Sequence, residues 1–312
     1  MSEHTSKSYQ DVWAQVEPRI QQSLADLSKE RSEAFRKVPL QGLFVGLPIG
    51  LIIGAFTEFH IVVFILAFAL GCVIIGIADY TSRNGKYKRE VMPKLVDALC
   101  PGATYSPQGT ISKDMIAASH LFPAGWGERF ENEDTIRGVV GKTDFVYGEV
   151  ELYHMQQSGK TTIKVTDFKG FVFEADFNKY FQGVTLLSSQ KFRLATHLGF
   201  FSGLNRCKLE DVRFEDAYRT YTTNDQEARY ILTPALQERI LQMNKVFRTQ
   251  LGDDEVNISF HDDRMLIMVP SSTNRFEVKY DAEGVRRDFL ALSLMLDIVE
   301  QLNLNLRIWS KE

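Results

Sequence analysis

The side chains best equipped for chemistry are spread thinly along this chain. Six histidines, at positions 4, 60, 120, 154, 197 and 261, have no spacing that would seat two imidazoles on one ion. Three cysteines, Cys72, Cys100 and Cys207, form no CxxC pair, and their odd number and wide separation argue against a disulfide framework and for a reducing compartment. Glu128, Glu131, Glu133 and Asp134 gather four carboxylates after Gly125-Trp126-Gly127, yet lack the regular ligand positions of a calcium loop. They read as a solvated loop. His261-Asp262-Asp263-Arg264 reads as the turn of a hairpin, its two aspartates explained by turn chemistry. No phosphate loop, dinucleotide glycine fingerprint, zinc-protease helix or nucleophile elbow is present. The expectation is therefore no cofactor, no metal and no assigned catalytic residue.

One stretch is denser in unusual choices: YTTNDQEARYILTP, Tyr221 to Pro234. Asp225 is expected to cap a short helical turn that brings Glu227 and Arg229 near the helix opened by Thr233 and Pro234. Arg229 can then pair with a carboxylate, and Tyr230 supplies an aromatic anchor. The favoured reading makes Asp225, Glu227, Arg229, Tyr230 and Thr233 a structural joint between subdomains. The competing one makes Arg229 a clamp for an anionic group beside the helix N-terminus.

The elements that must position these residues begin with two apolar runs. The chain has 312 residues, 44% of them apolar and 24% charged, and a net charge of −4, which removes the global electrostatic case for nucleic acid. Val38 to Phe56 contains 19 residues without a charge, and Ile61 to Ala78 another 18. A 19-residue helix reaches roughly 28 Å, near the hydrocarbon thickness of a bilayer. Four residues, Thr57 to His60, separate the runs, so they are expected to form a tight transmembrane hairpin. Lysines and arginines flank both outer ends and none lies in the turn, which places both termini in the cytoplasm. Gly42, Gly46, Gly50 and Gly54 repeat every fourth residue, a face fit for close approach to the second span at Gly71 and Gly76 or to a second copy.

Before the first span, Tyr9, Val12, Trp13, Val16, Ile20, Leu24 and Leu27 form a helical stripe, expected to pack within the chain rather than as a coiled coil. After the second, Tyr87 to Leu99 continues as a helix kinked at Pro93, and Ser112 caps a short helix. Strand-like runs at 136–140, 145–155, 161–167, 171–177 and 183–187 follow, the first four divided by turns at Gly141, Gly159 and Lys169-Gly170. A helix from Thr233 to about Phe247, a hairpin of 256–260 with 265–269, and an almost wholly apolar helix from about Gly284 to Leu302 complete the pattern. Clustered strands define an α+β class: a transmembrane hairpin, then an antiparallel meander with packed helices. The domains are 1–37, an amphipathic cytoplasmic helix; 38–80, the hairpin; and 81–312, the cytoplasmic α+β domain.

The stretch VTDFKGFVFEADFNKYFQG at 165–183 and the joint at 221–234 together resemble the bacterial family catalogued as domain of unknown function 3137. Phe168, Lys169, Gly170, Phe171, Ala175, Asp176 and Phe177 carry the first part; Asp225, Glu227, Ala228, Arg229, Tyr230, Leu232, Thr233 and Pro234 carry the second. The resemblance extends over residues 38–302 and implies two adjacent membrane spans and a cytoplasmic domain at the inner membrane. It supplies no catalytic residues, since the family has no assigned activity. The leading reading is a membrane-tethered, non-enzymatic scaffold or sensor whose partners are the lipid bilayer and a protein or a second copy. Two rivals are an inner-leaflet enzyme with its site near Arg229 and the acidic loop, and a subunit of an oligomeric transport assembly.

Overall fold

A computed structural model describes residues 9–56, 61–122, 127–189, 203–252 and 256–302, which form an α+β architecture. The expected turn at 57–60, Gly125 and Trp126, and His4, His60 and His197 lie outside them. The chain divides into two compact units: Met1–Leu95 with Phe276–Asp288, and Val96–Arg275 with Phe289–Glu312.

In the first unit the expected amphipathic arm and first span are one helix, α1 (Tyr9–Gly54), which runs on through Pro18, Pro39 and Pro48. Trp13, Val16, Ile20, Leu24 and Leu27 are buried at helical spacing, as the apolar stripe requires. No second copy is needed to cover it. α2 (Ile61–Glu90) runs antiparallel to α1, and α3 (Met92–Leu99) follows after a break at Val91. Pro93 accounts for the break, because its ring removes a backbone donor and crowds the carbonyl one turn earlier.

The two helices meet along small residues. Gly42, Gly46, Gly50 and Gly54 of α1 are buried, as are Ala67 and Gly71 of α2. A Cβ on Gly46 would stand 2.6 Å from the carbonyl oxygen of Ala67 and 2.7 Å from the Cα of Phe68. Helix backbones therefore touch with no room for a methyl group. Gly76 differs from the expectation: nothing lies within 4 Å of its would-be Cβ, because it sits beyond the close contact. Further along, residues 276–281 lie on the polar ends of both helices. Tyr80 donates to Glu277 at 3.0 Å, the Asn84 carboxamide oxygen accepts from the Val278 amide at 2.8 Å, and Arg83 donates to the Tyr280 hydroxyl at 3.1 Å. The Arg31 guanidinium covers the Tyr280 ring at 4.6 Å.

The second unit is built on an antiparallel sheet of nine strands: β1 (Thr104–Ser106), β2 (Arg129–Val140), β3 (Thr143–Ser158), β4 (Thr161–Asp176), β5 (Thr185–Ser189), β6 (Asn205–Cys207), β7 (Tyr218–Thr222), β8 (Asn257–His261) and β9 (Arg264–Pro270). Their order across the sheet is β1-β2-β3-β4-β9-β8-β5-β7-β6. The meander expectation holds for β2 to β4, with the runs expected at 161–167 and 171–177 forming one strand; β1 adds an edge beside β2, and the β8–β9 hairpin joins β4 and links it to β5.

Two strand expectations change. The acidic run is no loop: Glu131, Glu133 and Asp134 lie within β2, where a bulge between Glu133 and Ile136 lets Asp134 take a left-handed backbone (φ 52°). Lys169-Gly170 is no turn either, since β4 passes straight through it. Gly170 is required there because a Cβ would stand 2.9 Å from the Cα of Pro270 on β9.

Short helices fill the connections: α4 (Lys113–Ala118), capped by Ser112 as expected, α5 (Val212–Ala217), capped by Asp211, and α6 (Asp225–Ile231). α7 (Pro234–Leu251) has Thr233 as its N-cap and Gly252 in a left-handed conformation (φ 76°) at its end. α8 (Ala282–Gln301) is the expected apolar helix. One sheet face buries Ile111, Ile116, Val146, Val172, Leu266 and Met268, and the other stacks Phe145 on Phe173 with ring centroids 5.7 Å apart. Burial of both faces explains the near-continuous apolar runs of β3, β4 and β9.

Replacing Gly46 by Val should lower the stability of the full chain in detergent by about 1–3 kcal/mol through overpacking of the helix seam. Gly76→Ala, in open space, should change it by no more than about 0.5 kcal/mol. Thermal unfolding of the two variants beside the parent checks the contrast.

Candidate functional site

The joint forms much as its residue types require, with one change of cap. Asn224, not Asp225, caps α6: its side-chain oxygen accepts from the Glu227 amide at 3.2 Å, while the exposed Asp225 occupies the first helical position. Asn is as good a cap as Asp, and one position earlier it leaves Asp225 to favour the positive end of the helix. Thr233 caps α7 by accepting from the Leu236 amide at 3.3 Å, and Gln237 donates to the Leu232 carbonyl at 2.6 Å across the corner.

Arg229 is exposed and pairs with Glu210 at 2.5 Å while donating to the Lys208 carbonyl at 2.8 Å. Its carboxylate partner comes from the segment before α5, not from the start of α7. Glu210 is 83% exposed, so the pair contributes little and the guanidinium aims outward. Glu227 does more. Its carboxylate accepts the Gln182 amide at 2.9 Å and lies 3.9 Å from the Lys179 ammonium. Lys179 in turn sits 4.2 Å over the exposed Tyr230 ring. Glu227, Tyr230 and Lys179 thus tie α6 to the loop that leads into β5.

That loop is one wall of a cavity of about 370 Å³. Tyr180 to Val184 form this wall, His120 with Ala118 a second, and His261 with Asp262 a third. The Asp262 carbonyl accepts the Phe181 amide at 2.5 Å and joins the first wall to the third. The walls meet because β8 and β9 run between β4 and β5, which brings the β8–β9 turn beside the β4–β5 loop. His120 (φ 54°) and Asp262 (φ 48°) both have left-handed backbones, a conformation that His and Asp tolerate better than most residues. The His261 ring is buried, and its Nδ1 lies 3.1 Å from the Ser259 hydroxyl. Burial pushes its pKa down to about 4; His120 and Arg264 push the same way, and Asp262 and Asp263 pull it back up. His261 is a neutral imidazole at neutral pH.

The acidic residues form a different place. Glu131 faces Glu151 and Glu133 faces Glu149 directly across β2 and β3, around a cavity of about 280 Å³. Like charges so placed repel, and each carboxylate is answered locally. Lys164 reaches Glu151 at 2.8 Å, Tyr153 donates to Glu131 at 2.8 Å, Asn274 to Glu133 at 3.2 Å and the Arg275 amide to Glu149 at 3.1 Å. Burial opposes ionisation of Glu151, but hydrogen bonds from Lys164 and Thr166 outweigh it and hold that carboxyl below its ordinary range. β2 and β7 stand six strand spacings apart, roughly 29 Å along the sheet, so Arg229 and the acidic strand do not share a site. A third polar pair, His154 with Asp167 at 2.8 Å, arises at the β3–β4 register shift, where Asp167 also accepts the Gly127 amide at 3.0 Å.

The chain is thus an α+β protein, with a long helical hairpin in one unit and an antiparallel nine-stranded sheet in the other. Residues 166–304, a little under half of the chain, match the model of the family described as protein of unknown function (DUF3137). The match begins within β4, takes in the joint, His261 and Asp262, and does not reach His120 or the hairpin helices. No curated protein matches the chain. Among solved structures it is similar to the crystal structure of the mycobacterial trehalose monomycolate transport factor A, TtfA, at 12% identity and a TM-score of 0.37, over 70% of this chain and 96% of that one. So weak a likeness carries no argument about function.

Sequence spacing could not reveal the histidine cavity, because His120 and His261 lie on distant segments. The conformational demand at His120 and Asp262 leaves no mark in composition.

Two outcomes check this description. Glu227→Ala should cost about 0.5–1.5 kcal/mol by removing the hydrogen bond it makes to the Gln182 amide, and amide exchange at Gln182 should quicken, whereas Arg229→Ala should cost no more than about 1 kcal/mol. Because His261 binds its proton more weakly folded than unfolded, its contribution to stability is complete above pH 6.5 and is lost as the pH falls towards about 4, by about 3 kcal/mol in all. Unfolding free energies measured across that window should fall less steeply for His261→Gln than for the parent.

Proposed function

We propose that the chain is an integral membrane protein, anchored by its α1–α2 hairpin with both ends in the cytoplasm, and that its sheet domain acts there as a non-enzymatic sensor or scaffold. One observation carries the anchoring: the hairpin is inside out for a water-soluble pair of helices. Its seam holds glycines and Ala67, while large apolar side chains face away, with Phe44 71% and Ile65 60% exposed. A hairpin made for water would bury those side chains and expose polar ones. Both helices are long and apolar enough to cross a bilayer, and lipid is the solvent such a surface suits. Cations on the outer flanks, Arg36 and Lys37 before the first span and Arg83, Lys86, Lys88 and Arg89 after the second, support the orientation.

The partner is a protein or a second copy of the chain. The glycine seam is occupied within the hairpin, so a second copy meets another face. The exposed Tyr180, Val212 and Tyr230 offer the domain's apolar contact points. The five joint residues serve this function as structure: Thr233 caps, Glu227 ties, and Asp225, Arg229 and Tyr230 finish the surface, with Asn224 capping α6 just before them.

After alkaline carbonate washing of membranes the full chain should remain in the pellet; recovery in the supernatant overturns the anchoring. A C-terminal tag should resist protease added to intact cells and be cut in inverted vesicles, and the reverse pattern overturns the orientation. Cross-linking in those membranes should yield a defined adduct with itself or with one protein, and its absence removes the scaffold reading.

A further inference from the structure

We propose that the free end of the β3–β4 hairpin, residues 154–165, is a second membrane contact, an arm whose tip enters the headgroup layer of an anionic lipid surface. The inference rests on the anchoring proposed above, which brings lipid within reach, and adds to it a contact made by the sheet-bearing unit.

Strand length sets the arm. β3 and β4 outrun their neighbours, because β2 pairs with β3 only as far as Tyr153 and β9 pairs with β4 only from Gly170 onwards. From His154 opposite Val165 to Ser158 opposite Thr161 the two strands pair with each other and, among the described residues, with no further strand. Residues 155–164 are all exposed. A two-stranded ribbon is marginally stable by itself in water, so an arm of this length gains from a surface that holds it.

The side chains select that surface. Residues 152–166 contain Lys160 and Lys164 and no Asp or Glu, in a chain whose acidic residues outnumber its basic ones. Lys164 leans back on Glu151 at 2.8 Å and over the Tyr153 ring at 3.9 Å, whereas Lys160, at the tip, has no carboxylate partner among the described residues. Met155 and Ile163 are 45% and 44% exposed. The register sets Met155 opposite Lys164 and Gln156 opposite Ile163, so the two large apolar side chains lie on opposite faces of the ribbon. A protein laid against one face would leave the other apolar side chain in water. A lipid layer entered end-on surrounds both. The unpaired strand edges fix the depth, since open edges are not tolerated in hydrocarbon. In the headgroup layer, water and phosphate oxygens accept from the edge N–H groups, and Lys160 meets negative charge.

Chain length lets the tip return to the bilayer. Gly170, at the foot of the arm, pairs with Pro270, and Phe276 opens the segment tied to Tyr80, Arg83 and Asn84 at the polar ends of the spans. The six peptide steps from Pro270 to Phe276 cover at most about 22 Å. From Gly170 to Thr161 the strand extends roughly 30 Å. The arm is longer than its tether.

The test uses the full-length chain in vesicles of phosphatidylethanolamine and phosphatidylglycerol, with the photo-crosslinking residue p-benzoylphenylalanine in place of Ile163 and adducts read by mass spectrometry. A lipid adduct is expected there, and none when the probe replaces Tyr180, an exposed side chain outside the arm. Lys160→Glu, at an exposed turn position, should melt like the parent. It should lower the lipid adduct at Ile163 by about fivefold or more, because it reverses a charge at an anionic surface. No lipid adduct at Ile163, a protein adduct in its place, or a yield unmoved by Lys160→Glu overturns the proposal. Equal lipid adducts at Ile163 and Tyr180 overturn it too, since the contact would then be indiscriminate. The same probe at Ile65, in the second span, separates the two readings. A lipid adduct at Ile65 with none at Ile163 removes the arm contact and leaves the anchoring, whereas no lipid adduct at Ile65 removes the anchoring and this contact with it.

Discussion

Backbone-to-backbone contact between α1 and α2 is the constraint on which the first unit depends. With Cβ-free positions at every fourth residue of α1, the helices approach until main-chain atoms of Gly46 and Ala67 meet, and no larger residue fits the seam. In lipid, close packing of this kind replaces the hydrophobic effect as the source of helix association. Its corollary is that most bulky apolar side chains of the two helices point outward, Phe64 against Gly50 being an exception. The same closeness aligns the polar ends of the helices, so that Tyr80, Arg83 and Asn84 can hold residues 277–280 by side-chain and backbone hydrogen bonds.

The second unit depends on a different economy, that of a sheet buried on both faces. Polar groups on its strands are tolerated only where each has an answer, and the facing glutamates of β2 and β3 show what this requires. Lys164, Tyr153, Asn274 and the Arg275 amide each meet one of the carboxylates. The histidine cavity follows another rule. Its walls come from connections rather than strand interiors, and the β8–β9 hairpin sets its position by entering the sheet between β4 and β5. Loops held by a rigid scaffold are where binding groups commonly lie.

Much of this was legible in the amino-acid order. Uncharged length marked the two long helices, Ser112 and Thr233 with Pro234 marked helix starts, and His261-Asp262-Asp263-Arg264 marked a hairpin. These signals are local, since a cap or turn depends on residues within a few positions. The errors have local causes as well. β1 and β6 are three residues each, too short to show a period, and β7 follows α5 without a turn signal. Lys169-Gly170 resembles a turn but lies inside β4, where glycine serves the approach of β9. The acidic run resembles a loop because charge normally marks solvent, yet its residues alternate along a strand whose neighbours neutralise them. The short helix at 225–231 was legible, though its cap is Asn224 rather than Asp225.

What the sequence determined by itself is therefore most of the elements: two apolar rods with a glycine face, then the longer strands and helices of an α+β domain. Hydropathy, capping and turn chemistry act over a few residues and need no knowledge of the fold. Tertiary structure alone decided which distant groups share a space. Strand order separated Arg229 from the acidic strand and brought His120 to His261, because pairing between remote strands is settled by packing of the whole sheet and by no single segment.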